Sequence, residues 1–305
     1  MWESEIKEGK NNLPLISLFN RNKEYSTDIY LHGATITSWK HKGIEKIFVS
    51  SIAIFNGIKA IRGGIPVVWP QFGQPDTSMP QHGFLRNSSW NVHEITTTEN
   101  NISATFIIHS NQDTLQVWPH PFRVTYTVTL SELGLTCNFK AFNTGESSFK
   151  CHALLHTYFS IPLIQEVSFL GYSGHSYLDK TRNNQVFQHD SDLPFQIDEE
   201  VDRVYSSQDS SNPIPDIVIY NNAENKPLMT IHKESQIISQ FDGISPISCD
   251  CVLWNPWIEK SKALNDMDDD GYLNFVCVEP GVVNDYVTIQ PNQALNLIQT
   301  LTPNE

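Results

Sequence analysis

Short segments rich in β-branched and aromatic residues recur along the whole chain, and they constrain its fold more than any other feature. The segment Arg123–Leu130 alternates large apolar residues with threonines, a period of two that gives a strand one buried and one wetter face. A turn at Ser131–Gly134 leads into a second such segment, Leu135–Asn143, which predicts a hairpin. No stretch of helical length carries a sustained apolar stripe. The sequence therefore predicts an all-β fold of antiparallel strands.

Turn clusters separate the remaining β-rich segments, and we predict a strand in each of them. No repeat of fixed period and no linker between regions of different composition occurs along the 305 residues, so we expect residues 1–305 to form a single domain. These further strands are predicted at Asp28–Trp39, Trp90–Thr96, Ile102–His109, Val167–Leu170, Ile217–Tyr220, Leu228–Lys233, Val252–Asn255, Phe275–Glu279 and Tyr286–Ile289.

The charge balance is acidic, with a formal net charge of −14 at pH 7. Nucleic acids and anionic membranes both require clustered lysine and arginine, so we expect neither as a partner. The N-terminal residues contain no apolar run typical of a signal peptide. The five cysteines show no CxxC pair and no zinc spacing, which is typical of a reduced protein. We therefore expect a cytoplasmic protein, and a monomer.

The loop Lys59–Arg86 is rich in glycine and proline and carries the lone cations Arg62 and Arg86 together with His82. Its four prolines keep the backbone out of a helix and fix its direction. A rigid, irregular loop with such side chains is how sites for polar small molecules are usually built. The alternative is a connecting loop whose cations are only solvated.

Two later segments carry candidates for proton transfer. His152 and His156 lie four residues apart in a strand-like run, which places them on one sheet face but too far apart for an easy shared metal ion. Each is either a buried, hydrogen-bonded histidine or an acid–base residue. Glu279 ends an otherwise apolar strand directly before Pro280, and a carboxylate at a strand end is either a general base or a solvated side chain.

Two acidic features carry less information. The loop Asn265–Gly271 matches the first half of an EF-hand loop, but Cys277 occupies the position where a bidentate glutamate is required. We therefore predict a solvated turn and no metal site. Asp202 is a carboxylate beside an aromatic residue, and on its own it indicates little.

Taken together, these segments resemble the aldose 1-epimerase (mutarotase) superfamily, and more closely its hexose-6-phosphate 1-epimerase branch. The matching segments are LHGATITSWK, KAIRGGIPVVWPQFG, PQHGFLRNSSW, ALLHTYFSI, EEVDRVY, VLWNPWIEKSKAL and FVCVEPGVV, and they run in family order over most of the chain. Each segment alone is weak, whereas seven in order are specific. The resemblance implies a galactose-mutarotase-like β-supersandwich of antiparallel strands.

The family's chemistry is acid–base opening and closing of a sugar ring at its anomeric centre, without a metal, a cofactor or a covalent intermediate. By resemblance, His156 is the acid that protonates the ring oxygen, and Glu279 is the base that takes the proton of the C1 hydroxyl. Gln81 and His82 resemble residues that bind and orient the substrate. Asp202 resembles the acceptor of a sugar hydroxyl.

The resemblance also suggests a role for the loop cations. Guanidinium groups bind phosphate oxygens in a bidentate manner, so Arg62 and Arg86 are candidates for binding a 6-phosphate, with Lys59 as a weaker third. We therefore predict an enzyme that interconverts the α and β anomers of a hexose 6-phosphate, with glucose 6-phosphate the best candidate. The alternatives are a mutarotase for unphosphorylated aldoses such as glucose or galactose, and a carbohydrate-binding protein without catalytic activity.

Overall fold

Antiparallel strands make up most of the structure, a computed structural model that describes residues 1–207 and 211–304. Two short α-helices accompany them in the described chain, α1 (Gln112–Val117) and α2 (Trp257–Ala263). The strands are β1 (Trp2–Glu8), β2 (Pro14–Asn20), β3 (Ser26–Tyr30), β4 (Thr35–His41), β5 (Ile44–Glu45), β6 (Val67–Val68), β7 (Asn91–Thr97), β8 (Asn101–His109), β9 (Phe122–Ser131), β10 (Gly134–Asn143), β11 (Phe149–Leu155), β12 (Tyr158–Ser160), β13 (Val167–Leu170), β14 (His175–Asp179), β15 (Gln185–His189), β16 (Val201–Ser206), β17 (Ile217–Asn221), β18 (Lys226–Ser239), β19 (Gly243–Ile247), β20 (Asp250–Asn255), β21 (Phe275–Ile289) and β22 (Gln293–Pro303).

The strands form three sheets that share a hydrophobic core. The first has the order β1-β2-β3-β4-β5, and the second has the order β13-β17-β18-β22-β10-β9-β8-β7 with β19 beside β18. The third has the order β15-β14-β16-β20-β21-β11-β6, with β12 beside β21. One buried cluster joins Trp39 of the first sheet, Tyr126 of the second and Val278 of the third. The predicted all-β fold of antiparallel strands is therefore confirmed.

The predicted hairpin is present as β9 and β10. Ser131 pairs with Gly134 at its tight end, and the two strands stay in register to Phe122 and Asn143. Buried and partly exposed residues alternate along β9, as the period of two predicted. On the wetter face, the hydroxyl of Thr127 hydrogen-bonds that of Thr105 in β8 at 3.0 Å. Cross-strand pairs of this kind stabilise a sheet on the face that does not enter the core.

Two predicted strand boundaries are wrong. The segment Asp28–Trp39 forms two strands, β3 and β4, because residues 31–34 turn the chain back on itself, with Gly33 and Ala34 at positive φ. The segments Phe275–Glu279 and Tyr286–Ile289 are parts of one strand, β21, which continues through Pro280. Glu279 therefore lies inside a strand and not at its end.

The loop Lys59–Arg86 is held against the sheets by close backbone contacts. Gly64 and Gly83 have φ values of +77° and +71°, and an added Cβ atom would lie 2.2 Å and 2.0 Å from the carbonyl oxygens of Ile36 and Trp69. Glycine is required where the backbone adopts this conformation and packs so closely. The loop is therefore a fixed part of the structure, as its composition predicted.

No helix in the described part of the chain combines the length and apolar character needed to cross a lipid bilayer. The five cysteines are all buried and unpaired. Burial raises the pKa of several of their thiols, to about 12 for Cys151 and Cys249, which keeps these groups protonated and unreactive.

Candidate active site

A cavity of about 330 Å³ lies against strands β16, β20 and β21 of the third sheet, and seven of the eight residues predicted for the site line it. This volume lies in the range of small-molecule sites. The predicted residues at the cavity are Arg62, Gln81, His82, Arg86, His156, Asp202 and Glu279, and they are joined there by Phe72, Gly73, Lys180, Val252, Trp254, Lys260 and Leu264. The fold thus brings together side chains that are more than 200 positions apart in the sequence.

His156 and Glu279 face each other across a break in the third sheet. Strands β11 and β12 both pair with β21, in one common register in which Leu154 lies opposite Gly281 and Tyr158 opposite Cys277. His156 falls between β11 and β12, directly opposite Glu279. The break also explains how β21 continues through Pro280, which has no N–H to donate.

The neighbouring loop supports His156 from the other side. The backbone N–H of His156 donates to the carbonyl of Pro66 at 3.0 Å, and that of Tyr158 donates to the carbonyl of Gly64 at 2.9 Å. The ring of Tyr158 stacks on the imidazole at 4.8 Å with an interplanar angle of 12°. The edge of Trp254 meets the same ring at 5.7 Å. His156 is therefore fixed on both its backbone and its side chain.

Both members of this pair are buried, with 8% of His156 and 1% of Glu279 exposed. His156 Nδ1 lies 3.3 Å from Glu279 Oε1. Neither Nδ1 nor Glu279 Oε2 has a hydrogen-bond partner among the described residues. Burial, followed by the negative charge of Asp202, raises the pKa of Glu279 well above its usual value. Burial, followed by the charges of Arg86 and Arg62, lowers the pKa of His156 well below its usual value.

His82 lies at right angles to His156, with the ring centroids 5.9 Å apart. Its Nδ1 accepts a hydrogen bond from the backbone N–H of Gly73 at 3.2 Å. Burial, followed by the charge of Arg86, lowers the pKa of His82 well below its usual value. The neutral ring with Nδ1 as acceptor carries its proton on Nε2, so His82 can donate a hydrogen bond to a ligand oxygen.

The two arginines differ in how far their charge is already satisfied. Arg62 Nε donates to Asp266 at 2.9 Å, and Arg62 Nη1 donates to the hydroxyl of Tyr158 at 3.3 Å. Arg86 Nη2 donates to the carbonyl of Gln81 at 2.8 Å, while its Nε is buried without a partner. No carboxylate of the described chain lies within ion-pair distance of Arg86. Burial lowers the pKa of Arg86 to about 10, so it stays charged at neutral pH.

The acidic loop Asn265–Gly271 was predicted to be a solvated turn, and this is wrong for its first half. Asp266 is only 16% exposed and pairs with Arg62. Asp268 accepts hydrogen bonds from the hydroxyl of Ser51 at 2.6 Å and from its backbone N–H at 3.1 Å. The two carboxylates therefore link this loop to the segment that carries Ser51 and Arg62.

Lys59 lies apart from the other predicted residues. It is exposed and lines a neighbouring cavity of about 380 Å³, on the other side of the wall formed by Arg62 and Arg86. Lys59 therefore does not line the cavity that contains His156 and Glu279.

Sequence reasoning missed Lys180. Its Nζ lies 3.4 Å from Asp202 and 3.9 Å from the centroid of the Phe72 ring, so its charge is placed inside the cavity wall. Lys180 lies in a loop-rich region without a recognisable motif, and its approach to Asp202 depends on the pairing of β14 with β16. No local signal in the sequence could have identified it.

His152 lies in β11 but does not line the cavity. Its Nδ1 accepts a hydrogen bond from the backbone N–H of Phe72 at 3.2 Å, and its ring stacks on Tyr286 at 3.9 Å. Of the two interpretations left open for it, the buried and hydrogen-bonded histidine is the one that the structure supports.

One group of donor atoms could hold a metal ion. Side-chain donors of His156, Cys277 and Glu279 lie within 4.8 Å of one another. Burial, followed by the charge of Glu279, raises the pKa of the Cys277 thiol well above its usual value, which opposes the thiolate that a metal ion requires. We assign no metal to this group, and the absence of a metal or cofactor stays a prediction.

Comparison with known proteins gives a consistent family and fold. The family model described as aldose 1-epimerase matches residues 14–302. A Cenchrus ciliaris protein provisionally named glucose-6-phosphate 1-epimerase is 34% identical over 275 residues, which cover 87% of this chain and 78% of the relative. An Escherichia coli protein with the same provisional name is 30% identical over 276 residues, which cover 89% of this chain and 84% of the relative.

Solved structures agree in fold. A Salmonella typhimurium protein provisionally named a mutarotase superposes with a TM-score of 0.77 at 24% identity, over 98% of this chain and 97% of that one. A galactose 1-epimerase from Lactobacillus acidophilus superposes with a TM-score of 0.68 at 12% identity, over 100% and 99% of the two chains. These likenesses confirm the predicted galactose-mutarotase-like fold.

Proposed function

This chain belongs to the aldose 1-epimerase family, and we propose that it interconverts the α and β anomers of hexose 6-phosphates, with glucose 6-phosphate as the best candidate. The observation that carries the proposal is the opposed pair His156 and Glu279 in a cavity that also contains Arg86, a cation without a carboxylate partner among the described residues. Proton transfer at the anomeric centre requires an acid and a base such as His156 and Glu279. The positive charge of Arg86 would bind an anionic substituent on the sugar.

In the proposed reaction, Glu279 takes the proton from the C1 hydroxyl while His156 gives a proton to the ring oxygen O5. The C1–O5 bond breaks and the open-chain aldehyde forms. After rotation about C1–C2, the O5 hydroxyl attacks the other face of the aldehyde, with the proton transfers reversed. Each positioned group contributes about 10²–10⁴ to the rate. His82 donates a hydrogen bond to a sugar oxygen, and Asp202 accepts one from a sugar hydroxyl.

We assign the sugar phosphate to Arg86 before Arg62. Arg62 is already paired with Asp266, whereas within residues 1–207 and 211–304 the Arg86 guanidinium has one hydrogen bond, to a neutral backbone carbonyl. A phosphate dianion gains most from the cation whose charge is not yet compensated. Gln81 is an exposed residue that lines the cavity, and its backbone carbonyl accepts the hydrogen bond that orients Arg86.

Replacing Arg86 with glutamine tests this assignment. We expect Arg86→Gln to lower kcat/KM for glucose 6-phosphate about 30-fold or more, because a charge-assisted contact to the phosphate is lost. The value for unphosphorylated glucose should not fall. Arg62→Gln should lower both values, since the variant also releases Asp266 and loosens the loop. Rates of anomer exchange measured by NMR with both sugars distinguish these outcomes, and an equal loss for both sugars in Arg86→Gln would contradict the assignment.

We further propose that the protein acts as a monomer in the cytoplasm. Five buried, unpaired thiols are compatible with a reducing compartment. Light scattering on the purified protein should give a molar mass near the 34.7 kDa of one chain. A mass of twice that value would contradict the monomer.

A further inference from the structure

We propose that the phosphate of the substrate activates the catalytic acid in addition to anchoring the sugar: by compensating the arginine charge at the cavity wall, it allows His156 to carry the proton that O5 requires. This inference rests on the proposed function. It assigns to the phosphate a role in the chemical step as well as in binding.

Arg62 and Arg86 both lie in the wall of the cavity that contains His156. Arg62 donates to the hydroxyl of Tyr158, whose ring stacks on the His156 imidazole at 4.8 Å. Arg86 lines the same cavity, and its charge is not compensated by any carboxylate of the described chain. Asp266 pairs with Arg62 at 2.9 Å, so Arg86 is the main cation that opposes protonation of the buried imidazole, where a low local dielectric strengthens the repulsion.

The other charged and titratable groups around His156 do not offset this repulsion. Glu279 lies 3.3 Å away, but burial favours its protonated form. His82 faces His156 from the loop, and its pKa is also lowered by burial and then by Arg86. Lys180 adds a third positive charge, which Asp202 partly compensates at 3.4 Å. Burial and the neighbouring cations thus favour the neutral imidazole, and burial favours the protonated carboxyl group.

The leading charges around His156 differ from those around Glu279. For His156, Arg86 and Arg62 are the largest charge effects on the pKa, ahead of Lys180. For Glu279, Asp202 and Lys180 are the largest charge effects, and Arg86 follows them. An anion bound at Arg86 therefore offsets the leading charge effect on His156, whereas the leading charge effects on Glu279 stay in place. In the proposed activation, the proton that burial favours on the carboxyl group moves to the imidazole, which gives the protonated acid and ionised base that ring opening requires.

The direct experiment supplies the sugar and the anion as separate molecules. Exchange between the anomers of xylose, which lacks both C6 and the phosphate, is measured by NMR with increasing inorganic phosphite. We expect phosphite to accelerate the enzymatic exchange about tenfold or more, with saturation, because one unit of pKa changes the protonated fraction of a mostly neutral imidazole tenfold. Phosphite that has no effect on xylose exchange, or that inhibits it, would overturn the inference.

An arginine variant gives a second, crossed test. Arg86→Met removes the charge and keeps most of the side-chain volume, so it should accelerate exchange of unphosphorylated glucose and abolish activation by phosphite. The matched control is Arg21→Met, which changes the same charge in an exposed turn and should behave as the wild type. A fall in glucose exchange in folded Arg86→Met would contradict the proposed repulsion.

Different results would contradict the proposed function and the proposed activation by phosphate. If the wild-type protein accelerates exchange of glucose 6-phosphate but phosphite does not activate xylose exchange, the proposed function stands and the activation is wrong. If the wild-type protein does not accelerate exchange of glucose 6-phosphate, the proposed function itself is wrong.

Discussion

The Glu279→Gln variant is expected to exchange the anomers of glucose 6-phosphate about 10²–10⁴-fold more slowly than the wild type. Glutamine has nearly the shape of glutamate but cannot take the proton of the C1 hydroxyl. Since Glu279 is 1% exposed and one of its carboxylate oxygens has no partner in the described part of the chain, the neutral amide should not destabilise the fold. NMR exchange rates and thermal unfolding, measured on the same preparation, separate loss of chemistry from loss of structure.

The control for this variant is Glu259→Gln. Glu259 lies in α2 with 89% of its side chain exposed, so its replacement should leave both the rate and the stability unchanged. A Glu279→Gln protein with the wild-type exchange rate would remove Glu279 from the mechanism.

The His156→Gln variant is expected to show a loss of similar size, about 10²–10⁴-fold. Glutamine cannot act as the acid for O5 at any pH at which the protein is folded. In the wild type, the base works above the pKa of Glu279 and the acid works below the pKa of His156. The rate should therefore fall on both sides of an optimum, with apparent pKa values that belong to the pair. In His156→Gln, the alkaline fall should disappear from the residual rate.

The control here is His109→Gln, at an exposed position at the end of β8. It should keep the wild-type rate and the wild-type pH profile. Residual exchange in His156→Gln that retains the alkaline fall would show that another group supplies the proton.

Local patterns were sufficient to predict the fold class. The alternation in β9 and the turn before β10 specify a hairpin within one short stretch, and the structure contains it with the predicted faces buried. Continuity of strands was harder to predict. Pro280 ordinarily ends a strand, and β21 passes through it only because the partner strand is interrupted at His156. That interruption is a property of the sheet, and no local window of sequence contains it.

Site residues could be predicted where a short sequence motif indicates the role of a single residue. His156, Glu279 and Arg86 were identified from their segments, and all three line the cavity. The state of each charge was not predictable, because it depends on partners distant in sequence. Asp266 compensates Arg62 from 204 positions away. That residues 1–305 form a single domain remains a prediction. The catalytic and binding roles of the site residues also remain predictions.

Saturation-transfer NMR on the wild-type protein tests the central claim most directly, with glucose 6-phosphate and glucose measured in parallel at equal concentration. The account predicts that the protein accelerates exchange between the anomers of glucose 6-phosphate well above the uncatalysed rate, and about 30-fold or more above its effect on glucose. Equal acceleration of both sugars would contradict the role assigned to the phosphate. No acceleration of either sugar would contradict catalysis by His156 and Glu279, and it would favour a carbohydrate-binding protein.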